Sequence, residues 1–335
     1  MRLTNRFGSA SVQPLGAMLH DCVFRIDDRE VRPLFDAPWR GDTGPDFDAL
    51  PPIVQGLGSE WPCVPFGRTP GTMELSSEWE ASDAVAWDDW AHGFSSNNEW
   101  HLDRLSPSAL RATIRYHETT PIQRLVRDVR LLDDRPGLAL SLTVHARQEA
   151  RFPLGLHPVL SMEGAAPETM QLKIPDRARV WSFPVDVEPG RNHFTPNQQN
   201  RTLHQVETCE GENTSIQNMP PRGQTEDLLM LTDTNGEIGL SNPVLGCVTT
   251  VQWDVDQLPG CLLWVSNGGR NYYPWNGRVA ALGIEPVAST FDLGFGHSLS
   301  RNTPLYKQGQ QTTVTVRPGA PLVCNYAILV TPDPD

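Results

Sequence analysis

The sequence predicts an all-β protein, folded as a large antiparallel β-sandwich with few or no helices, and three observations support this fold class. Apolar and polar residues alternate in many short segments, as they do on half-buried strands. No amphipathic helix of a dozen residues can be traced. The 27 glycines and 30 prolines are spread along the chain and indicate many turns. Strands without intervening helices form antiparallel sheets, and packing two sheets face to face covers their apolar sides.

The alternation is clearest between residues 138 and 147, where leucine and valine alternate with small or polar side chains. Further strands are predicted at 111–118, 124–132, 246–253, 261–266, 312–317 and 322–330. Two segments rich in Pro, Gly, Asn and Asp, 36–60 and 186–225, are predicted to be long loops. Both contain scattered large apolar residues, unlike flexible linkers. The simplest interpretation is therefore one β-sandwich domain over residues 1–335.

Charge and composition argue against several classes of partner. The 335-residue chain has 40 Asp and Glu against 27 Lys and Arg, a formal net charge of -13, which would repel nucleic acid and anionic membranes. No run approaches the ~20 apolar residues of a membrane span, and the N-terminus has no secretion signal, so a cytoplasmic location is expected. The six cysteines show no CxxC pair and no metal-type spacing.

The segment 279–286 (VAALGIEP) carries one carboxylate, Glu285, at the end of an uncharged strand-like run. On an extended chain Glu285 shares a face with Ala281 and Gly283, so the acid would lie above small residues that leave space for a ligand. The preceding segment 267–278 (NGGRNYYPWNGR) combines glycine, arginine, amide and aromatic side chains, which suits a polar ligand. Glu285 is therefore a candidate general base. The alternative is a structural glutamate at a strand end, paired with a nearby arginine.

The segment 152–158 (FPLGLHP) repeats this arrangement around His157. If the segment is extended, His157 shares a face with Gly155, while large apolar side chains fill the other face. A proline follows both His157 and Glu285 and restricts each to an extended backbone. The two residues could therefore form an acid–base pair on one sheet surface.

Two further segments carry candidate ligand-binding residues. The segment 61–68 (WPCVPFGR) is apolar and stiffened by proline, and it ends in Arg68. The segment 91–94 (AHGF) places His92 before a glycine on a turn, where the chain can approach a ligand closely. Each has a structural alternative, a solvated arginine in the first case and a structural histidine in the second.

Taken together, these segments resemble the aldose 1-epimerase, or galactose mutarotase-like, superfamily over most of the chain. In that family an arginine after a proline-rich segment, a His-Gly motif, a second histidine and a glutamate at a late strand end follow in order. Here these are Arg68, His92, His157 and Glu285. The HGF and Glu-Pro sequences are nearer to the hexose-6-phosphate 1-epimerase branch. The resemblance implies the galactose mutarotase-like supersandwich and an isomerase that acts on carbohydrates.

The resemblance also implies a reaction, the interconversion of the α and β anomers of an aldose through ring opening. Glu285 would act as the base and His157 as the acid. Arg68 and His92 would orient the sugar hydroxyls. No metal or nucleotide cofactor is required, and the small-molecule sugar is the expected partner of a monomer or homodimer.

The segment 267–278 would then help to select the sugar. Tyr272 or Trp275 would supply a stacking face for its C–H surface. Arg270 and Arg278 would join Arg68 in gripping an anionic group, if the sugar carries phosphate, sulfonate or carboxylate.

Two rival classes remain beside the epimerase-like enzyme. A non-catalytic carbohydrate-binding β-sandwich would share the aromatic and arginine residues but would need no acid–base pair. A metal-dependent sugar isomerase of the cupin type needs converging histidine and carboxylate ligands, typically with an HxH pair, and the nine histidines include no such pair. The epimerase-like enzyme is therefore the preferred interpretation.

Overall fold

The computed structural model describes residues 1–69 and 73–334, and β-strands form most of its regular structure. In chain order, the first strands are β1 (Arg2–Asn5), β2 (Gly8–Val12), β3 (Leu19–Ile26), β4 (Arg29–Val31), β5 (Pro62–Cys63), β6 (His101–Ser106), β7 (Ala109–Arg115), β8 (Ile122–Leu131), β9 (Gly137–Ala146), β10 (Ala150–Phe152), β11 (Leu154–Leu156) and β12 (Val159–Ser161). The following strands are β13 (Met170–Lys173), β14 (Arg179–Ser182), β15 (Val206–Glu207), β16 (Asn213–Thr214), β17 (Asn218–Met219), β18 (Thr225–Thr232), β19 (Glu237–Asn242), β20 (Cys247–Trp253), β21 (Gly260–Asn267), β22 (Ala280–Ala288), β23 (Val314–Val316) and β24 (Leu322–Pro332).

The helices of the described residues are short, with four or five residues each. They are α1 (Pro45–Asp48), α2 (Pro52–Gln55), α3 (Gly93–Asn97), α4 (Phe295–Leu299) and α5 (Pro304–Lys307), with a 3₁₀ turn at Ser77–Trp79. Three of them, α1, α2 and α5, begin at proline, which is suited to the first helical position. The expectation of few helices is confirmed.

Two large antiparallel sheets face each other. One has seven strands in the order β14-β18-β21-β22-β11-β5, with β12 also paired to β22. The other has nine strands in the order β17-β13-β19-β20-β24-β9-β8-β7-β6. The continuous apolar core includes Leu263 and Ile284 from the first sheet and Leu142 and Ile328 from the second. The predicted antiparallel β-sandwich is confirmed.

A second apolar cluster covers the opposite face of the seven-stranded sheet. Leu262 and Trp264 of β21 and Val287 of β22 belong to it, together with Trp39 and Phe66 from segments that cross this face. Neighbouring residues of the same strands point into the sandwich core instead, because side chains alternate along a strand. Odd-numbered residues of β22 therefore face this outer cluster.

The predicted strand segments fall on β7, β8, β9, β20, β21, β23 and β24. The segment 36–60, predicted as a loop, also contains α1 and α2, and the segment 186–225 contains β15, β16 and β17. The sequence did not indicate β18. All its residues are buried, and a strand covered on both faces loses the two-residue alternation that reveals a half-buried one.

Candidate active site

Glu285 and His157 lie opposite each other on the outer face of the seven-stranded sheet. β22 pairs with β11 at Val287 and with β12 at Gly283, and both pairings follow one register. The residues between β11 and β12 continue that register, which places His157 across from Glu285. Two side chains far apart in sequence therefore become neighbours on one sheet surface.

β22 does not end at Glu285. The strand continues through Pro286 to Ala288, so the predicted strand end is wrong. The N–H of Ile284 donates to the carbonyl of Pro158 at 2.9 Å, and position 286 points the same way because backbone directions alternate. By the register of β11 and β22, Pro286 lies across from Leu156, the last residue of β11, so its missing N–H falls at the end of that strand pairing.

The Glu285 carboxyl group is almost completely buried, with 1% of the side chain exposed. It lies over Gly283, where an added Cβ would collide with Oε1. Its other oxygen, Oε2, has no hydrogen-bond partner among the described residues. Burial raises the pKa of Glu285 well above its ordinary value, and the negative charge of Asp292 adds to this effect.

His157 reaches Glu285 at Nε2, which lies 3.4 Å from Oε1. Its Nδ1 is buried and has no partner in the part of the chain that the structure describes. Burial lowers the pKa of His157 well below its ordinary value, and the nearby His92 contributes in the same direction. Both shifts favour the uncharged forms, a protonated carboxyl group beside a neutral imidazole.

His92 precedes α3 in a left-handed backbone conformation, with φ of 55°. Gly93 also has a positive φ, 83°, and an added Cβ there would collide with the backbone of Val64. The glycine of this motif is therefore required for close packing. The His92 ring meets the His157 ring edge to face, with centroids 5.5 Å apart. Burial lowers the pKa of His92 to about 4, so the ring is neutral at physiological pH.

Arg68 forms an ion pair with Asp292, an acid that was not among the predicted site residues. Its Nη2 and Nε donate to Oδ2 of Asp292 at 2.6 and 3.2 Å, and its backbone N–H donates to the Asp292 carbonyl at 2.7 Å. Oδ1 of Asp292 is buried without a partner among the described residues. The sequence signal for Asp292 is one acid in an otherwise uncharged stretch that closely follows Glu285.

Arg270 reaches the site from the loop after β21. Its Nη2 lies 2.9 Å from Oε1 of Glu226, and its Nε lies 3.3 Å from Oε1 of Glu188. The guanidinium carbon lies over the Trp275 ring, 4.5 Å from its centroid. Carboxylates and an indole therefore fix this arginine in place.

Tyr272 and Arg278 do not line the cavity formed by these residues. Tyr272 is half exposed, and its hydroxyl donates to Oε1 of Glu188 at 2.7 Å. Arg278 is exposed, and its Nη2 donates to the carbonyl of Pro274 at 3.3 Å. In a loop without regular alternation, sequence spacing does not set the direction of a side chain.

The remaining predicted residues surround one cavity of about 200 Å³. Arg68, His92, His157, Arg270, Trp275 and Glu285 all line it. The cavity also has an apolar lining that was not among the predicted site residues, and it includes Leu57, Trp61, Leu228, Leu262 and Trp264. These side chains come from separate strands and loops, so no local pattern groups them.

Six polar atoms of the cavity residues are buried without a hydrogen-bond partner among the described residues. They are Glu285 Oε2, His157 Nδ1, His92 Nδ1, Asp292 Oδ1, Trp61 Nε1 and Arg270 Nε. A buried polar atom without a hydrogen bond is costly. The site is therefore suited to a small molecule that carries several hydroxyl groups, which both donate and accept hydrogen bonds.

The described part of the chain contains neither a metal-type cluster nor a membrane-spanning helix. Within residues 1–69 and 73–334, no group of three or more His, Cys, Asp or Glu side chains is arranged to hold a metal ion. No helix in the same residues is long and apolar enough to cross a membrane.

Similarity to solved structures extends over nearly the whole chain. A galactose mutarotase-like protein from Lactobacillus casei has 14% sequence identity and a TM-score of 0.61, with 98% of this chain and 99% of that chain covered. A galactose mutarotase related enzyme from Lactobacillus acidophilus has 12% identity and a TM-score of 0.62, with 100% and 98% covered. An aldose epimerase homologue from C. elegans has 12% identity and a TM-score of 0.60, with 99% and 98% covered.

Neither a protein-family model nor the sequence of a curated protein matches the chain. Likeness at these identities concerns the fold, and it does not favour the hexose-6-phosphate 1-epimerase branch over the others. Together with the two facing antiparallel sheets, it shows that this chain has the galactose mutarotase-like β-sandwich fold.

Proposed function

We propose that this protein is an aldose 1-epimerase that interconverts the α and β anomers of an aldose by acid–base ring opening. The observation that carries the proposal is the pair formed by Glu285 and His157. Their Oε1 and Nε2 atoms lie 3.4 Å apart, both side chains are buried, and both line the same cavity. Each has a further polar atom without a partner among the described residues.

The reaction needs a base and an acid next to each other. Glu285 removes the proton from the C1 hydroxyl while His157 protonates the ring oxygen, and the C1–ring oxygen bond breaks to give the open-chain aldehyde. Both sugar oxygens are bonded to C1, so the two catalytic groups must be neighbours, as Glu285 and His157 are. After rotation about the C1–C2 bond the protons return by the same route, and the ring closes on the opposite face of the carbonyl.

The proton content of the pair fits this cycle. A neutral Glu285 with a neutral His157 contains as many protons as a carboxylate with an imidazolium, and transfer of one proton across the pair converts the first form into the second. Because burial raises the pKa of Glu285, its carboxylate is a stronger base than an exposed glutamate would be. The pair can therefore take a proton at one sugar oxygen and deliver one at the other.

Activity should depend on pH in a bell shape. As the pH falls through the lower apparent pKa of the pair, the pair binds a second proton and no base is left. As the pH rises through the higher apparent pKa, the pair loses its last proton and no acid is left. The two limbs belong to the coupled pair, with His92 and Asp292 as charged or titratable neighbours. A rate that changes in only one direction between the extremes of stability would contradict this assignment.

The contacts in the cavity favour a neutral aldose. Arg68 is paired with Asp292, Arg270 is paired with Glu226 and Glu188, and Arg278 lies outside. A phosphate or sulfonate would have to displace one of these carboxylates, and it would meet the buried Oδ1 of Asp292. Hydroxyl groups can instead donate to that oxygen and accept from histidine.

The size and walls of the cavity suit a single sugar ring. Its volume of about 200 Å³ is below the roughly 300–1,000 Å³ of pockets for drug-sized ligands. Trp264 and Trp275 line it and are buried, so either indole can face the C–H surface of a pyranose. We assign Arg68 and His92 to the orientation of the hydroxyl groups. A cytoplasmic location and a monomeric or homodimeric state stay predictions.

NMR exchange spectroscopy on a panel of free neutral aldoses tests the proposal. The protein should accelerate α–β exchange of at least one aldose. Glu285→Gln and His157→Gln should each slow it by about 10²–10⁴-fold, the usual contribution of one general acid or base. Glu212→Gln, at an exposed position, is the matched control and should keep the wild-type rate. Wild-type exchange in Glu285→Gln would refute the assignment.

The same experiment separates the enzyme from a carbohydrate-binding protein. A binding protein would take up an aldose, measured by titration calorimetry, without accelerating its anomer exchange. Its affinity would fall on substitution of His157, whereas the enzyme variant would keep ligand binding and lose turnover. Binding without acceleration across the whole panel would replace the epimerase by this alternative.

A further inference from the structure

Trp61 holds a fixed place beside the acid–base pair. β5, which begins just after Trp61, pairs with β11, and the N–H of His157 donates to the carbonyl of Trp61 at 2.9 Å. The register of this pairing sets Trp61 across from His157, on the side away from Glu285. Trp61, His157 and Glu285 therefore form one row across neighbouring strands, with the histidine in the middle.

The two aromatic rings of this row are stacked. The Trp61 and His157 centroids lie 4.0 Å apart, and the ring planes differ by only 16°. Both side chains are buried, with relative exposures of 1% and 6%. The His92 ring closes a further side of the imidazole, edge to face. The imidazole thus has an indole on one face and a carboxylate near its Nε2 edge, which leaves it little freedom to rotate.

An indole face has chemical consequences for a histidine that gains and loses a proton. The face carries negative partial charge, so it attracts an imidazolium more strongly than a neutral imidazole. The attraction is strongest where water is excluded, as it is at Trp61. This attraction favours the charged ring of His157, whereas burial and the neighbouring His92 disfavour it.

We propose that Trp61 is a positioning residue of the acid–base pair. Its indole face holds the His157 ring in the plane that directs Nε2 at Glu285, and it stabilises the imidazolium that forms whenever His157 carries the proton. The second part rests on the proposed function. The first part rests on the geometry of the site and can be tested without any activity.

Trp61→Leu and Trp61→Phe test the proposal by steady-state anomer exchange. Trp61→Leu keeps an apolar side chain but removes the aromatic face, and kcat should fall by about tenfold with little change in KM. Trp61→Phe keeps a smaller aromatic face and should recover most of the lost rate. A raised KM with unchanged kcat in Trp61→Leu would show that Trp61 only contacts the sugar, and it would overturn the proposal. If Trp61→Leu does not fold, Trp61→Met supplies the same comparison.

NMR of the His157 ring provides a readout that does not depend on turnover. The ring resonances are identified by their loss in His157→Gln. Wild type and Trp61→Phe should show ring protons shifted upfield by the facing aromatic ring and one dominant imidazole tautomer in ¹⁵N spectra. Trp61→Leu should lose the upfield shift and average the two tautomers.

The two measurements separate failure of this inference from failure of the proposed function. Identical His157 spectra in wild type and Trp61→Leu would refute the positioning role, whatever the kinetics show. If the wild-type protein does not accelerate anomer exchange, the proposed epimerase function is refuted, and so is the stabilisation of a catalytic imidazolium by Trp61. The spectra alone would then decide whether Trp61 positions the His157 ring.

Discussion

Gly283→Ala should nearly abolish anomer exchange while leaving the fold intact. An ideal Cβ at position 283 would collide with Oε1 of Glu285 and would lie 3.1 Å from Cβ of Trp264. The first obstacle is the end of a flexible side chain, so Glu285 can rotate away, whereas the second requires a shift of a few tenths of an ångström. The added methyl group therefore displaces the Glu285 carboxyl group in preference to the backbone.

The two effects of this substitution differ in size. Turning Glu285 away from its rotamer costs about 0.5–1.5 kcal/mol, and replacing glycine by alanine within a strand returns roughly 0.5–1 kcal/mol. The net change in the free energy of unfolding should be within about 1 kcal/mol, which for a chain of 335 residues shifts the melting temperature by about 1–2 °C at most. Displacing a reacting group by about 1 Å, in contrast, lowers the rate on the order of 10²-fold.

The assay combines NMR exchange spectroscopy with thermal unfolding followed by circular dichroism. The control is Gly239→Ala in β19 of the nine-stranded sheet, where the built Cβ meets no atom closer than 3.2 Å. This control should leave the exchange rate unchanged. Wild-type exchange in a folded Gly283→Ala protein would refute the placement of the carboxylate over Gly283 as a requirement for catalysis. Loss of exchange together with unfolding would refute the claim that Glu285 gives way before the backbone.

Four further substitutions test charged residues of the core, the surface and the cavity. Burial raises the pKa of Asp227 to about 7, so the folded state binds more protons than the unfolded state between about pH 4 and 7. The protein therefore loses stability as the pH rises through this range. Asp227→Asn should stabilise the protein by at most about 4 kcal/mol at pH 8, and much less near pH 4. Equal urea midpoints for the two proteins at pH 8 would contradict this. Arg127→Met should lower the free energy of unfolding by about 3–5 kcal/mol, because it leaves the buried carboxylate of Glu60 without its ion-pair partner. Arg111→Ala, at the exposed ion pair with Asp128, should lower it by about 1 kcal/mol or less. Similar urea midpoints for both variants would count against a paired charge in the core. Asp292→Asn removes the carboxylate that occupies Arg68 and should raise exchange of an aldose phosphate relative to the neutral aldose, and an unchanged ratio in the NMR assay would show that Asp292 does not set this preference.

Strand identity was predictable for long strands with one side less buried than the other, whereas a short alternating strand such as β13 was not predicted. β8 and β9 alternate in burial along most of their length, and the sequence shows that alternation directly. β18 is buried at every position, including Glu226 and Asp227 at its start, and therefore reads as a polar turn followed by a featureless apolar run. Its place beside β21 depends on pairing partners that are distant in sequence.

Part of the candidate site could be predicted from the face of the strand on which each residue lies. Alternation alone placed Glu285 over Gly283, and the extended backbone imposed by proline gave His157 the matching orientation. The places of Asp292 and Trp61 could not be predicted in this way. Asp292 is held by the hydrogen bond that its carbonyl accepts from the N–H of Arg68, and Trp61 is placed by the pairing of β5 with β11. Tyr272 and Arg278 illustrate the same limit, since their loop directs them away from the cavity that Arg270 and Trp275 line. The extent of one domain over the whole chain stays a prediction.

The sequence by itself determined that the chain forms antiparallel strands with two distinct faces, and which face of its strand Glu285 occupies. These properties are local, because they follow from the two-residue period of an extended backbone. Only the tertiary structure decided that His157 lies across from Glu285, that Trp61 stacks on His157, and that carboxylates occupy Arg68 and Arg270. Those contacts depend on the register between strands and on burial, which arise when distant segments exclude water together.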